Sequence, residues 1–527
     1  EIIVKQDLYK IQDTFYNYGP SLTQMNLSDV PIVHSKNING QNVIIGILDT
    51  GFDWKLHNSL KNRNVIAEYD FIFDDSITAN QTGDAQSQHN HGTYVFSVLA
   101  GFVDSVLIGP AFNSSFILAK TEDVRSETHI EEDNYASALI WMESLGVDIT
   151  TSSLGYNTFD SGYSYSYPDM DGRTTIVTKA AEFAFRRGVS TFTAAGNEGN
   201  NSWGYIIAPA DAFNIISVGA VNDLGNVAGF SSHGPTYDGR IKPEVVAQGV
   251  NVYGAAAGTN NSYQFSNGTS AAAPIASGIA ALLLSAHPHL KNTQIRSILL
   301  ETSSNAANPN NQIGYGIISA KNAIEFPNLE FSNNSYVLHK SILEDHVNPQ
   351  SVKVFYNYRG IQFPEATMSK AGDYNYSFTF PNAINGENIM FYLIFSDSSN
   401  NSFRYPSAGE YKFKYGSDII SLNLQVQNPI NNFNVSDFFP NPFIPADHKY
   451  VSFNYYTSGN ELLRVLIIDG AGQKVKEVNT TTPSKADFYP FEWNGYSEHG
   501  YLCASGVYYA LIQIGGKEYG KKLVLLK

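Results

Sequence analysis

The sequence has one cysteine, few charged residues and no long apolar run. Cys503 is alone among 527 residues, so no disulfide can form within the chain. This excludes a disulfide-stapled scaffold but leaves secretion open. The longest apolar stretch, 275–286, is shorter than the ~20 residues of a membrane-spanning helix, so no transmembrane segment is predicted. The chain begins at Glu1 without a Met, which indicates a removed leader or a trimmed chain.

Basic residues are scarce in this chain. Lys and Arg total 33 against 49 Asp and Glu, which gives a net charge of −16. This balance argues against nucleic acid and anionic membranes as partners, because both attract positively charged surfaces. Charged residues make up only 16%, whereas apolar residues reach 43% and aromatic residues 13%. The composition therefore predicts folded, β-rich structure rather than disorder.

Two patterns divide the chain near residue 326. Before it, strands and helices alternate: the apolar run 43–48 predicts a strand buried on both faces, and 269–286 predicts a helix. Such alternation predicts an α/β fold with a mostly parallel sheet. After it, short alternating runs and turn clusters predict two small β-sandwich, Ig-like domains. The predicted domains are 1–326 with an N-terminal extension, 327–428 and 429–527.

Three short motifs carry residues suited to nucleophilic catalysis. Asp49 ends the first apolar strand, His91 lies at a helix start in His-Asn-His-Gly-Thr, and Ser270 opens a helix in Asn-Gly-Thr-Ser. Taken singly, each has a plainer role as a turn aspartate, a surface histidine or a helix N-cap. An aspartic protease would need a second Asp-Thr-Gly, which the sequence lacks. A metal site at His89 and His91 lacks a carboxylate or cysteine at a recognised spacing.

In the order Asp, His, Ser, these motifs resemble the subtilisin-like serine proteases, or subtilases, over roughly residues 20–325. The resemblance implies a subtilisin-like, doubly wound sheet with Asp49, His91 and Ser270 as the catalytic triad. It also implies that Asn197, in Ala-Ala-Gly-Asn, supplies an oxyanion-hole donor. The chemistry then needs no cofactor, and the substrates are proteins or peptides.

The same resemblance extends to the substrate side of the cleft. Ser-Ser-Leu-Gly at 152–155 resembles the edge strand that pairs with an extended substrate. Small, apolar pocket walls favour a large apolar substrate side chain. The predicted substrate-binding residues are Ser153, Leu154, Gly155, Ala195 and Gly196.

Calcium is a candidate structural ion, because many subtilases bind it. The long aromatic segment 156–174 contains Asp169 and Asp171, whose carboxylates are suitable calcium ligands. The plainer interpretation of the segment is a solvated acidic loop. No metal ligand set is predicted beyond this candidate.

The C-terminal segment resembles a second family, the sorting domain of the type IX secretion system of Bacteroidetes-type bacteria. The matching stretches include Phe-Pro-Asn-Pro at 439–442, Asp-Gly-Ala-Gly at 469–472, Ser-Gly-Val-Tyr at 505–508 and the basic, apolar tail 521–527. This implies the type IX machinery as a partner, and release or surface attachment after export across the outer membrane. An ordinary Ig-like stability module is the alternative.

These features together predict a secreted serine endopeptidase. The alternative is a cell-surface structural, adhesive or filament-forming protein built on a subtilase fold, which the low charge, abundant aromatics and two β-modules would suit. The complete triad with Asn197 favours the enzyme. No oligomeric state is predicted.

Overall fold

The structure, a computed structural model, describes residues 16–422 except 359, 360, 382, 384 and 385. In the C-terminal part it describes 435, 438 and 441–527 except 447, 449, 458, 485 and 486. The predicted boundary at 428/429, positions 439 and 440 of the sorting motif and the first residues of the N-terminal extension lie outside these. The chain divides into two compact units, Glu1–Val426 and Gln427–Lys527. The predicted boundary at 326/327 falls inside the first unit and stays a prediction.

The helices and strands of the α/β region follow one another along the chain. The α-helices are α1 (Leu22–Asn26), α2 (Val30–His34), α3 (Asn90–Ala100), α4 (His129–Ser144), α5 (Ile176–Arg186), α6 (Thr269–Ala286), α7 (Asn292–Thr302) and α8 (Ala320–Glu325). The strands are β1 (Ile44–Asp49), β2 (Asn64–Asp70), β3 (Phe102–Val103), β4 (Leu107–Ile108), β5 (Ser115–Lys120), β6 (Ile149–Ser152), β7 (Ser190–Ala194), β8 (Ile216–Val221), β9 (Val245–Gln248), β10 (Val252–Ala255) and β11 (Tyr263–Ser266). Short 3-10 turns lie at Gly19–Ser21, Tyr167–Asp169 and Pro349–Ser351.

Seven of these strands form one parallel sheet in the order β2-β5-β1-β6-β7-β8-β9. The inner strands are buried almost throughout, because helices cover both faces, as continuous apolar runs predict. The predicted α/β fold with a parallel sheet is confirmed.

From β1 the chain goes to the edge strand β2, comes inward to β5, and then crosses to β6 on the other side of β1. Connections to either side of β1 therefore diverge at its carboxyl end. Open α/β sheets bind ligands in the crevice at such a reversal. The fold thus places Asp49, the last residue of β1, at the edge where a site is expected.

Helix α6 packs on β6, β7, β8 and β9, the four strands on one side of β1. Its length and composition would suffice to cross a bilayer, yet most of it is buried in the protein core. Buried alanines along its length let the backbone lie close to its neighbours, and Gly278 allows the close approach of Pro110 and Leu99. Ser270, its second residue, is held where the helix meets the strand ends.

Antiparallel strands follow α8 in the same compact unit. They are β12 (Asn328–Ser332), β13 (Ser335–Ser341), β14 (Lys353–Tyr358), β15 (Ile361–Gln362), β16 (Ala366–Thr367), β17 (Ser369–Lys370), β18 (Asn375–Thr379), β19 (Asn388–Ser396), β20 (Ser402–Tyr405), β21 (Tyr411–Lys414) and β22 (Ile420–Leu422). They form two sheets, β12-β13-β18-β17 and one built around β14, β19 and β21. Rings such as Tyr336 and Phe413 meet between the sheets, 5.6 Å apart. One apolar cluster runs from α6 and α7 into these sheets.

The second unit is also antiparallel. Its strands are β23 (Val451–Thr457), β24 (Leu462–Asp469), β25 (Lys474–Thr481), β26 (Asp487–Trp493), β27 (Gly506–Ile514) and β28 (Lys517–Leu525). They pair as β23-β26 and as β25-β24-β27-β28. Asn441 Nδ2 donates to Lys522 O (3.1 Å), and Phe443 N donates to Val524 O (2.8 Å), so this part of the predicted sorting motif lies along β28. β-rich additions are confirmed, while their Ig-like type stays a prediction.

Candidate active site

The first half of the site is a buried carboxylate bonded to a histidine. Asp49 is completely buried at the end of β1, and its Oδ1 accepts a hydrogen bond from His91 Nδ1 at 2.7 Å. The same oxygen accepts from Thr50 N at 2.8 Å, which fixes the carboxylate. His91, on the first turn of α3, keeps 39% of its side chain exposed. The ring thus spans from the buried acid to the solvent-facing cleft.

The electrostatics of this pair favour a charged imidazole. Burial by itself would lower the pKa of His91, but the negative charge of Asp49 and its hydrogen bond outweigh that effect and raise the pKa above its ordinary value of 6.5. A proton taken up by the outer nitrogen of the ring would therefore be held more firmly than on a free histidine.

The second half of the site lies at the start of α6. Ser270 is half-buried, and Gly268 precedes the helix with φ +156°. A Cβ at position 268 would lie 2.7 Å from Ser270 Oγ and 3.8 Å from Asn197 Nδ2. Glycine therefore keeps the space beside the hydroxyl free, and both the Ser270 hydroxyl and the Asn197 amide border that space.

Asn197 is oriented by the residue before the serine. Its Oδ1 accepts from Thr269 N at 2.9 Å and from Thr269 Oγ1 at 3.1 Å. With the amide oxygen occupied, the exposed Nδ2 is left to donate. The sequence prediction did not include Thr269, although its place directly before the serine was a usable signal.

Hydrogen bonds tie the start of α6 to the residues that follow β6 and β7. Ser153 Oγ donates to Ser270 O at 2.9 Å, and Gly196 N donates to Thr269 Oγ1 at 3.2 Å. Leu48 in β1 pairs with Ser152 in β6, so the residues that follow each, Asp49 and Ser153, leave neighbouring strands side by side. Asp49, with its bonded His91, therefore leaves the sheet beside Ser153, whose hydroxyl binds the backbone of Ser270.

The predicted substrate residues line one side of this edge. Ser153, Ala195 and Gly196 are buried, whereas Leu154 and Gly155 are half-buried. Ile207 packs against both glycines: a Cβ at Gly155 would lie 2.5 Å from Ile207 Cδ1, and one at Gly196 would lie 3.0 Å from Ile207 Cγ1. Ile207 is an apolar wall that sequence reasoning missed, because no motif marks it.

Three glutamates, which the sequence prediction did not include, gather beside the cleft. Glu122, Glu127 and Glu131 bring carboxylate oxygens within 4.8 Å of one another. Gln88 Nε2 donates both to Thr50 O and to Glu122 O, which connects the cluster with the loop after Asp49. Burial and then the charge of Glu131 raise the pKa of Glu122 well above its ordinary value. Burial and the charge of Glu131 likewise raise the pKa of Glu127 to about 7.

The candidate calcium ligands have other partners. Asp169 Oδ2 accepts from Ser166 N and Oγ, both at 2.7 Å. Asp171 Oδ1 accepts from the backbone of Arg173 and Thr174, both at 2.8 Å. Within the described residues, neither belongs to a convergent group of three metal-binding side chains. These bonds stabilise the local turns, and a calcium site at Asp169 and Asp171 stays a prediction.

The model of the subtilase family matches residues 40–316, more than half of the chain. The chain belongs to the subtilase family.

Similar proteins include two bacterial proteases. A thermophilic serine proteinase of Bacillus sp. (strain AK1) is 30% identical to this subtilase over 320 residues, covering 60% of this chain and 69% of the relative. Subtilisin DY of Bacillus licheniformis is 32% identical over 298 residues, covering 56% and 94%. Among solved structures, the MycP3 protease of the type VII (ESX-3) secretion system is 20% identical, with 59% of this chain and 91% of that chain covered and a TM-score of 0.47.

The family membership fixes the general activity. This subtilase is a subtilisin-like serine protease, and its substrates are peptides or proteins. The family's catalysis needs no cofactor. The alternative of a purely structural surface protein is not favoured by these relatives.

Proposed function

We propose that this subtilase is a secreted endopeptidase in which Asp49, His91 and Ser270 form the triad and Asn197 donates in the oxyanion hole. The observation that carries the proposal is the 2.7 Å hydrogen bond between His91 Nδ1 and the buried Asp49, beside the α6 start that bears Ser270. Family membership independently supports serine peptidase chemistry.

The proton transfers follow from the pair of His91 and Asp49. As the Ser270 Oγ attacks the scissile carbonyl, the outer nitrogen of His91 takes its proton and later gives that proton to the leaving amine. Asp49 accepts from Nδ1, which selects the tautomer whose outer nitrogen has a free lone pair. Its negative charge also stabilises the imidazolium, in keeping with the raised pKa of His91.

The tetrahedral intermediate carries negative charge on the former carbonyl oxygen. The Asn197 amide, held through its oxygen by Thr269, donates Nδ2–H toward that charge, and Ser270 N–H is the second donor. Because Thr269 is itself bonded to Gly196 N, the donor needs little reorganisation during the reaction. Loss of such an amide costs about 10²–10³ in kcat, a magnitude established on a subtilisin.

The substrate backbone is held as an added strand. Ser153, Leu154 and Gly155 follow directly after β6, and their backbone groups pair with an extended peptide without regard to its sequence. The side chain before the scissile bond packs on the apolar surface where Ile207 contacts Gly155 and Gly196. This surface carries no charge, so an apolar side chain is preferred.

The enzyme assignment is tested by Ser270→Ala. The variant should fold and lose about 10⁶-fold in kcat, a magnitude established on a subtilisin, because the nucleophile is gone. Ser285→Ala, at the far end of the same helix, is the matched control and should keep full activity. Turnover of a peptide substrate by the Ser270→Ala variant would refute the triad.

Location forms the second part of the proposal. The resemblance of the C-terminal segment to sorting domains supports a type IX role, and Asn441 of the motif and the adjacent Phe443 bond to β28 near the basic tail. Export is tested by expressing the chain with and without residues 427–527 in a type IX-competent bacterium. The full chain should reach the surface or medium, and the shortened chain should stay inside. Equal export of both would refute the sorting role and leave the triad untouched.

A further inference from the structure

A second group of chemically active side chains lies away from the cleft, between the end of α6 and the antiparallel strands β12 and β13. His289, Glu330 and His339 each offer a ligand atom, and these atoms lie within 4.8 Å of one another. All three residues are half-buried. We call this group the seam cluster, and neither the proteolytic chemistry nor the substrate cleft uses it.

The β12–β13 hairpin supplies two of the three side chains. Asn328 in β12 pairs directly with His339 in β13, and Glu330 follows Asn328 by two residues. Because strand side chains alternate between faces, Asn328, Glu330 and His339 share one face of the hairpin. A tight turn with Asn333 and Asn334 at positive φ fixes this register.

The third side chain comes from the α/β region. Helix α6 ends at Ala286, and His289 lies in the connection to α7. The rings of His289 and His339 have centroids 4.3 Å apart. The seam cluster therefore joins two stretches that are distant in sequence.

Second-layer contacts orient the histidines in the way that metal ligands require. His289 Nε2 bonds to Oδ1 of the buried Asn328 at 2.7 Å, so this nitrogen carries the proton and Nδ1 keeps its lone pair. A carbonyl that accepts from the far nitrogen of a ligating histidine is a recurrent feature of metal sites. His339 Nε2 lies 3.1 Å from Glu330 Oε2, so these two ligand atoms are already adjacent.

We propose that His289, Glu330 and His339 bind a divalent transition metal of the zinc class. Two imidazoles and one carboxylate are a donor set typical of zinc, with water as a fourth ligand because the residues are partly exposed. Calcium prefers oxygen donors only, so this set discriminates against it. Bound metal clamps the β12–β13 hairpin to the connection after α6.

The position predicts a structural role. Ser270 opens α6 and His289 follows its end, and an 18-residue helix spans ~27 Å. The metal is therefore too far from the nucleophile to take part in peptide hydrolysis. Its effect is on the stability of the folded unit, because an ion that binds only the folded state raises the unfolding temperature.

The test titrates ZnCl₂ into the chelator-treated full chain by calorimetry, followed by thermal unfolding with and without Zn²⁺. The parent should bind Zn²⁺ and unfold at a higher temperature with it. The double variant His289→Gln/His339→Gln should weaken binding by at least about tenfold and abolish the thermal shift. His346→Gln, an exposed histidine of the same β-region, is the control and should bind like the parent.

Two results would overturn the proposal. One is a parent chain that binds no Zn²⁺, and the other is a double variant with the parent's affinity, which would place any bound ion elsewhere, for example at His91 and Asp49. Because the double variant could fail to fold, circular dichroism accompanies the titration and Co²⁺ is added to the parent. An absorption spectrum of tetrahedral Co²⁺ with nitrogen ligands, lost on adding Zn²⁺, supports the site, and an octahedral aqua-ion spectrum contradicts it.

Discussion

Two histidine–carboxylate pairs in this subtilase have similar geometry and opposite electrostatics. His91 lies 2.7 Å from Asp49 in the cleft, and His339 lies 3.1 Å from Glu330 in the seam cluster. Asp49 is fully buried, whereas Glu330 is 40% exposed. The pKa of His91 is raised by Asp49, whereas burial and the charge of His289 lower the pKa of His339 against the pull of Glu330.

The difference shows that the neighbours of a pair, and not its composition, decide its chemistry. The Thr50 amide anchors Asp49, which contacts one imidazole. Its charge holds a proton on Nδ1 of that ring and stabilises the ring when the outer nitrogen is protonated as well. Glu330 lies beside His339, whose ring is 4.3 Å from that of His289, so one carboxylate is grouped with two imidazoles. A protonatable base belongs in the first setting and a metal ligand set in the second.

The largest expected effect comes from Asp49→Asn. The amide keeps the shape but removes the charge and disturbs the tautomer of His91, so kcat should fall about 10⁴-fold, as in other serine protease triads. Peptide hydrolysis by the purified variant measures it. Glu344→Gln, which removes an exposed ion pair with Lys321, should change kcat little. A loss below about tenfold in Asp49→Asn would mean that the pair does not drive proton transfer.

The pH dependence of kcat/KM reports the pKa of His91. Protonated His91 cannot accept the serine proton, and its pKa is raised, so kcat/KM should begin to fall at a pH above 6.5 as the solution is acidified. Below that pKa the rate should drop about tenfold per pH unit. In Asp49→Asn the acid limb should move to lower pH, because the charge that raises the pKa is gone. A parent acid limb below 6.5 would contradict this account.

Thr269→Val tests the half of the site that depends on hydrogen bonds instead of charge. The valine keeps the backbone bond to Asn197 and loses both Oγ1 bonds, to Asn197 Oδ1 and from Gly196 N, so kcat should fall about tenfold with little change in KM. Thr174→Val, which removes an exposed bond to Asp171, is the matched control. A change in KM alone would show that Thr269 shapes substrate binding and does not position the oxyanion donor.

Glu127 offers a carboxylate whose neighbours are other acids. Its pKa is raised to about 7, so the folded state holds a proton that the unfolded chain releases from about pH 4.5 upward. Stability from this group is therefore lost as the pH rises through that window. Glu127→Gln should raise the unfolding temperature by about 1–2 °C at pH 8 and leave it unchanged at pH 4, since the group is half-buried. A stabilisation that is equal at both pH values would contradict the raised pKa.

Local pattern predicted the central elements of the fold well. The apolar run 43–48 became β1, and the predicted helix 269–286 has the bounds of α6, because buried strands and a small-residue core helix leave strong signals. Strand β2 was not predicted, since it lies at the sheet edge and its residues are mostly half-exposed. The continuous apolar cluster that joins α7 to the β-region could not be read from periodicity, because it depends on long-range packing.

The functional residues likewise fall into those that a local motif marks and those that only long-range contacts bring into place. Asp49, His91, Ser270 and Asn197 were named from motifs, whose residues are close in sequence. Ile207 packs against Gly155 and Gly196 from a segment without a motif. Asn328 is hydrogen-bonded to His289, although 39 positions separate them in the sequence. Contacts of this kind depend on how strands and loops meet, so a single sequence carries no local sign of them.

Labelling by a fluorophosphonate probe tests whether Ser270 is a nucleophile activated by His91. The probe reacts only with a serine that an adjacent base has activated, and peptide mass spectrometry identifies the modified residue. The account predicts one labelled serine, Ser270, with labelling lost in His91→Ala although that variant keeps the hydroxyl. A folded, full-length chain that stays unlabelled, or that is labelled at another serine, would contradict it.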